Sequence, residues 1–220
     1  EQSRYPFEEE ARFLVALDTA VKFPLYLRIP TWCTRSQIFL NDESVAENVA
    51  PGRYVRIHRR WESGDVIVLR LPMEMTVRRW PHNHNRLSIV RGPLTYSLLI
   101  GEELIRADPF ATAAVDSQWQ AEVDADDWPA FEVLATTPWN YGLPTPPVDL
   151  QSAFQVERRA WPQDEYPFAA QSVPIRLHGH GVRIPEWEVD LTGLCAPLQD
   201  SPVHPGAPAA PITLIPMGAA

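Results

Sequence analysis

Two pairs of imidazoles stand out among the residues able to do chemistry: His82-Asn83-His84 and His178-Gly179-His180. On an extended chain, residues i and i+2 face the same side, so either pair presents two nitrogen donors that could share a metal ion. Two ligands alone do not close a metal site, and neither pair has a third ligand at a recognisable spacing. The simpler reading is a polar loop for the first pair and a solvated strand edge for the second. The two cysteines, Cys33 and Cys195, are far apart in sequence and belong to no Cys-Cys or Cys-x-x-Cys unit. Both are expected to be ordinary buried thiols. Carboxylates are plentiful: Glu102-Glu103, Asp124, Asp126-Asp127, Glu186 and Glu188. A pair of them held about 5–10 Å apart is the usual equipment for cleaving a glycosidic bond. Sequence does not say which converge, and Asp124 to Asp127 reads as a solvated loop.

The aromatic residues form a more specific group. The chain has eight tryptophans, and Trp80, Trp128, Trp139, Trp161 and Trp187 all lie beside turn-forming residues. An indole offers a wide apolar face and one N–H donor. It therefore suits either the seam between packed elements or the C–H face of a sugar ring. Trp139, Asn140, Tyr141 and Trp187 are the candidate carbohydrate or interdomain contacts. The expected roles are a tryptophan plug at a domain seam, a turn fixed by the Asn140 side chain, and a close backbone approach at Gly142.

Composition narrows the partners. The 220 residues carry a net charge of −9, and the arginines are interspersed with carboxylates. That balance argues against a nucleic-acid partner and leaves neutral sugars compatible. No apolar run approaches the ~20 residues that span a bilayer, so no membrane partner is expected. No signal-peptide pattern opens the chain at Glu1. Lys22 is the only lysine, an arginine bias that suggests a GC-rich bacterial source.

The elements that would position these residues read as strands. Proline outnumbers glycine, 23 to 10, which disfavours helices and suits turns and strand edges. Phe13, Val15 and Leu17 alternate. From Phe23 to Pro30, Leu25, Leu27 and Ile29 fall on one face and Tyr26 and Arg28 on the other. Ser36 to Leu40 is followed by the turn pair Asn41-Asp42, and Pro51-Gly52 marks another turn. Tyr54, Arg56 and His58 alternate with Val55 and Ile57. Val66 to Leu71 is continuously apolar and is expected to be covered on both faces. Leu87 to Val90, Leu94 to Ile100, Phe131 to Ala135, Phe154 to Val156, Ile175 to Leu177 and Ile212 to Ile215 complete the strand candidates. Gly206 to Pro211 reads as a linker. The fold class is all-β, mostly antiparallel, with two β-sandwich, jelly-roll-like domains.

Five runs carry a family resemblance: Arg91-Gly92-Pro93-Leu94-Thr95-Tyr96-Ser97-Leu98, Thr137-Pro138-Trp139-Asn140-Tyr141-Gly142-Leu143, Arg183-Ile184-Pro185-Glu186-Trp187, Leu198-Gln199-Asp200-Ser201-Pro202-Val203, and Ile212-Thr213-Leu214-Ile215-Pro216-Met217-Gly218-Ala219-Ala220. In this order they resemble the C-terminal portion of glycoside hydrolase family 127, the β-L-arabinofuranosidase-like group, from about Tyr5 onward. The resemblance implies an (α/α)6 catalytic barrel followed by two sandwiches, with the last strand returning to the first. Here residues 1–105 with 211–220 would form one sandwich and 106–210 the other. Relatives continue beyond the position of Ala220 through another strand, so an unpaired edge is expected there. The family's cysteine nucleophile and its zinc, held by further cysteines and a glutamate, belong to the helical part. The resemblance therefore assigns no catalytic residue, metal ligand or cofactor to this chain. Zinc is expected only in the missing catalytic domain. The implied role is non-catalytic support of that domain within the same polypeptide, whose substrates would be arabinose-containing glycans. Two alternatives are a carbohydrate-binding module using exposed tryptophans and a self-contained enzyme.

Overall fold

A computed structural model describes residues 2–107, 127, 129–144, 153–190, 195–197, 201–203 and 207–219. The sequence candidates Asp124, Asp126 and Trp128, and the run 198–200, lie outside them.

The first seven strands are β1 (Gln2–Ser3), β2 (Glu10–Leu14), β3 (Val21–Arg28), β4 (Gln37–Leu40), β5 (Glu43–Glu47), β6 (Tyr54–Trp61) and β7 (Val66–Arg70). Five of them form an antiparallel sheet in the order β1-β2-β7-β4-β5, and β3 and β6 pair in a sheet of their own. The apolar half of each alternation faces inward. Leu27, Ile29 and Trp61 on one side meet Ile38, Ile67 and Leu69 on the other, with Phe23, Leu25, Val55 and Ile57 around them. The expected alternations therefore hold, and β7, central in its sheet, buries Ile67, Val68 and Leu69. Asn41 and Asp42 both adopt positive φ (49° and 67°) between β4 and β5, the backbone that a tight hairpin needs and that Asn and Asp tolerate. Neighbouring Asp65 accepts hydrogen bonds from Asn41 Nδ2 (2.7 Å) and the Glu62 backbone N–H (2.9 Å). These two bonds, led by the backbone one, hold its carboxyl below the ordinary range, with Arg59 adding to them.

The remaining strands are β8 (Met75–Trp80), β9 (Arg86–Arg91), β10 (Leu94–Leu98), β11 (Glu102–Ala107), β12 (Ala130–Ala135), β13 (Tyr141–Gly142), β14 (Gln155–Arg158), β15 (Ile175–Arg183) and β16 (Ala209–Pro216). Seven of them make one sheet, ordered β13-β15-β16-β10-β9-β8, with β14 also on β15. The strands β11 and β12 pair only with each other. Every ladder among the described residues is antiparallel, as expected, and none of the described helices is long and apolar enough to cross a membrane.

β16 pairs with β10 on one side and β15 on the other. Among the described residues the first seven strands pair only with one another, as do the last nine. Two sequence expectations need correction. β15 runs on to Arg183, well past Leu177, because its glycines are packing devices and not breaks. A Cβ on Gly179 would lie 2.4 Å from the Phe154 ring, and one on Gly181 would crowd Ile212 and Tyr141. Residues 209–211, read as linker, already belong to β16. The strands at Glu43–Glu47, Met75–Trp80 and Glu102–Ala107 were not foreseen, since their polar and apolar residues do not alternate cleanly.

The two bodies of sheet are joined by the segment before β2. Phe7 is buried in the second core, against Trp161 (5.8 Å between ring centres) and Phe168 (5.0 Å). Arg4 covers the Trp161 ring from outside, 5.0 Å from its centre. Glu9, two residues on, makes an ion pair with the buried Arg91 at the end of β9 and lies 3.5 Å from Arg158 of β14. Met73 closes the junction: its sulfur is 3.5 Å from Arg91 Nη1, and its side chain occupies the space a Cβ on Gly92 would need.

Candidate functional site

The β9–β10 hairpin turns on Gly92-Pro93, with Gly92 at φ +57° and Arg91 directly opposite Leu94. A positive φ at the first turn residue is glycine's province, and proline supplies the fixed φ that follows. Arg91 therefore points from the strand end onto the same sheet face as Leu94, where it meets Glu9. Burial pulls the Arg91 guanidinium's pKa down while Glu9 opposes the shift. Tyr96 shares that face and is buried. Burial pushes its phenol up to about 12, with Arg91 acting in the opposite direction. The Arg91 to Leu98 run is thus a junction between the two bodies.

The second motif meets the third. Asn140 is buried (6 % exposed). Its Nδ2 donates to the Ile184 carbonyl at 3.0 Å and the Trp187 carbonyl at 3.1 Å. Its Oδ1 accepts from Arg183 Nε at 3.1 Å and Nη2 at 2.9 Å. The Ile184 N–H donates back to the Asn140 carbonyl at 2.8 Å. The side chain does fix a turn, as expected, but that of a segment more than forty residues downstream. Trp139 and Trp187 then stack edge to face, 4.8 Å between centres at 74°, the geometry aromatic quadrupoles favour. The Trp187 indole N–H donates to the Ala196 carbonyl at 2.9 Å. Gly142 makes the expected close approach, a Cβ there lying 3.1 Å from Ile184 Cδ1.

All four residues singled out from sequence are thus brought together. The tryptophan packed against the first body, however, is Trp161, while Trp139 packs within the second. Trp187 has a cavity on each side. One, of about 270 Å³, lies on the sheet face of Ile89, Tyr96 and Leu214 and is closed by Tyr141, Leu143 and Pro202. The other, of about 580 Å³, is a shallower recess bounded by Thr137, Trp139, Asn140, Arg183 and Glu188. Residues from all five motif runs line the first cavity. The apolar lining and half-exposed indole can accept a ring-shaped ligand or a side chain from a neighbouring domain. Among the described residues the first cavity is lined by no carboxylate, and Glu188 is the one carboxylate at the second.

The other candidates are dispersed. His178 and His180 share the outer face of β15. His178 lies between Glu157 (Nε2 to Oε2, 2.7 Å) and Thr213 (Nδ1 to Oγ1, 3.1 Å). The hydrogen bond from His178 holds the exposed Glu157 carboxyl below its ordinary value. His82 is exposed, and His84 sits at positive φ in the β8–β9 loop, its carbonyl accepting from the Ser201 N–H at 3.2 Å. Among the described residues no three of His, Cys, Asp or Glu converge as metal ligands. Glu102, Glu103, Asp127, Glu186 and Glu188 are exposed, the first two on β11 and the last two in the segment after β15. Cys33 is buried, its thiol pushed up by that burial. Cys195 is exposed, contrary to expectation, because it forms an isolated bridge with Val189 at the margin of the second body. Sequence reasoning missed Arg91, Asp65 and Phe7. An apolar residue between Pro6 and three consecutive glutamates carries no periodic signal, and a buried arginine looks like any other in sequence.

Comparisons with known proteins follow the same division. Residues 1–73 match the family model described as the β-L-arabinofuranosidase, GH127 middle domain. That match ends where the first body of sheet ends. No curated protein sequence matches the chain. Among solved structures, the GH127 β-L-arabinofuranosidase from Geobacillus stearothermophilus T6 is similar over 99 % of this chain and 27 % of its own, at 23 % identity and a TM-score of 0.56. A protein titled only glycoside hydrolase is 18 % identical with a TM-score of 0.56, over 99 % of this chain and 29 % of its own. A further GH127 β-arabinofuranosidase, also 18 % identical, gives 0.54 over 99 % and 28 %. The chain therefore spans less than a third of the length of the enzymes it resembles, and the resemblance read from its motifs holds.

Proposed function

We propose that this chain is the non-catalytic β-sandwich portion of a GH127-like glycoside hydrolase, buttressing a helical catalytic barrel of the same polypeptide. The observation that carries this reading is the agreement between the family match over residues 1–73 and the first sandwich, with the fold likeness continuing through the rest. The parent reaction would be release of terminal L-arabinofuranose from arabinose-containing glycans. Buried polar contacts such as those of Asn140 and Arg91 suit support: they lock element positions and leave no group free to transfer a proton. The zinc that the resemblance implies for the parent has no fit among the described residues here. Cys33 and Cys195 lie apart, and no chemical step is derived through a metal.

The test is hydrolysis of an aryl glycoside panel that includes aryl β-L-arabinofuranosides. The purified chain should release no phenol above background. Turnover that disappears on Glu186→Gln or Glu102→Gln would contradict the reading. The half-exposed Trp187 beside two cavities favours one secondary role, sugar binding. That role predicts quenching of tryptophan fluorescence by arabino-oligosaccharides, lost in Trp187→Ala.

A further inference from the structure

The outward face of the β3–β6 sheet is unlike the rest of this acidic chain. The registers Lys22↔Arg60, Tyr26↔Arg56 and Arg28↔Tyr54 place four cations and two tyrosines side by side on one face. Neither eight-residue strand contains an Asp or Glu. All six side chains are exposed, with Tyr26 and Tyr54 at 56 % and 63 %. Among the described residues none of the four cations is in an ion pair. Arg56 alone has a side-chain partner, donating to His58 Nδ1 at 3.3 Å. The opposite face of the same strands is core, so the sheet is backed by packed side chains.

We infer that this face binds a linear polysaccharide bearing uronate carboxylates. The inference rests on the glycoside hydrolase reading for its choice of a glycan. The face itself supplies the charge argument. On a chain of net charge −9, a patch of one positive sign left unneutralised is a local reversal of the field that attracts anions. Guanidinium groups take carboxylates through two parallel hydrogen bonds. Each tyrosine lies directly across from an arginine, so a ring stacked on the phenol places its carboxylate within reach of the neighbouring guanidinium. From the Lys22–Arg60 pair to the Arg28–Tyr54 pair is about 20 Å at ~3.3 Å per strand residue, long enough for several sugar rings in a row. The carboxylates Asp18 and Glu62 flank only the Lys22–Arg60 end in sequence, which leaves the Arg28–Tyr54 end the more positive.

The experiment is affinity electrophoresis and calorimetry of the purified chain with oligogalacturonate, neutral arabinan, single-stranded DNA and buffer alone, at low and at 0.3 M salt. Oligogalacturonate should bind, neutral arabinan should not, and the affinity should fall at least tenfold in Arg28→Gln/Arg56→Gln and at higher salt. Tyr26→Ala/Tyr54→Ala should weaken it severalfold without changing the salt dependence. Arg12→Gln, on the other sheet, should change nothing. No binding of oligogalacturonate at low salt overturns the inference. Equal or tighter binding of DNA overturns the glycan assignment in favour of nucleic acid. A salt-sensitive dimer in sedimentation that dissociates in the Arg28→Gln/Arg56→Gln variant assigns the face to a second copy instead. These binding readouts are independent of the hydrolysis assay, so failure of the binding inference is distinguishable from failure of the glycoside hydrolase reading.

Discussion

The two bodies of sheet are held together by opposite means. In the first, two sheets close over a core to which alternating strand residues such as Leu27, Ile38, Trp61, Ile67 and Leu69 contribute most. In the second, one seven-stranded sheet is covered by side chains from irregular segments: Phe154, Val173, Trp161, Phe168 and Phe7 from the other body. The first body is stabilised by a periodic pattern, and the second by individual contacts. A single substitution should therefore be absorbed in the first and be felt across the molecule in the second.

Phe7→Ala should have the largest effect, about 4 kcal/mol, as expected for removing a buried ring. It should also split a single urea transition into two, since Phe7 belongs by sequence to one body and by packing to the other. A single transition of unchanged midpoint would break the comparison. Asn140→Ala removes two donated and two accepted hydrogen bonds from a buried site. A loss of about 2–3 kcal/mol is expected, with faster hydrogen exchange confined to residues 183–187. Gly179→Ala should cost about 1–3 kcal/mol by overpacking against Phe154. Phe154→Leu, which shortens the obstructing ring, should recover part of that loss in a double-mutant cycle.

The smallest effect sharpens the contrast from the first body. The Asp65 carboxyl is held below the ordinary range chiefly by the Glu62 backbone N–H and then by Asn41. A carboxyl with a lowered folded-state pKa adds stability that is fully present above its unfolded value, about 4, and is lost as pH falls through the folded value. Thermal stability should decline on acidification below about pH 4, and Asp65→Asn should flatten that limb while costing about 1 kcal/mol at neutral pH.

These expectations parallel what could be read in advance. Leu25, Leu27 and Ile29, or Val55 and Ile57, announce their face because a strand alternates with period two. The motif residues Trp139, Asn140, Tyr141 and Trp187 were recognisable as a group, but the pairing of Asn140 with Ile184 and Trp187 is long-range and leaves no local mark. Gly179 and Gly181 look like breakers until the rings that cross them are seen. Phe7 and Arg91 were illegible for the same reason: each is buried by partners distant in sequence. The basic face was partly legible, since Tyr26 and Arg28, and separately Tyr54, Arg56 and His58, alternate with apolar residues. Only the β3–β6 register puts the two strips beside each other.

The most direct measurement is the genomic sequence immediately before the codon for Glu1. Support of a catalytic barrel predicts an uninterrupted reading frame of several hundred residues with helical periodicity, clustered cysteines and an accompanying glutamate. A promoter and start codon directly ahead of Glu1 would contradict that role.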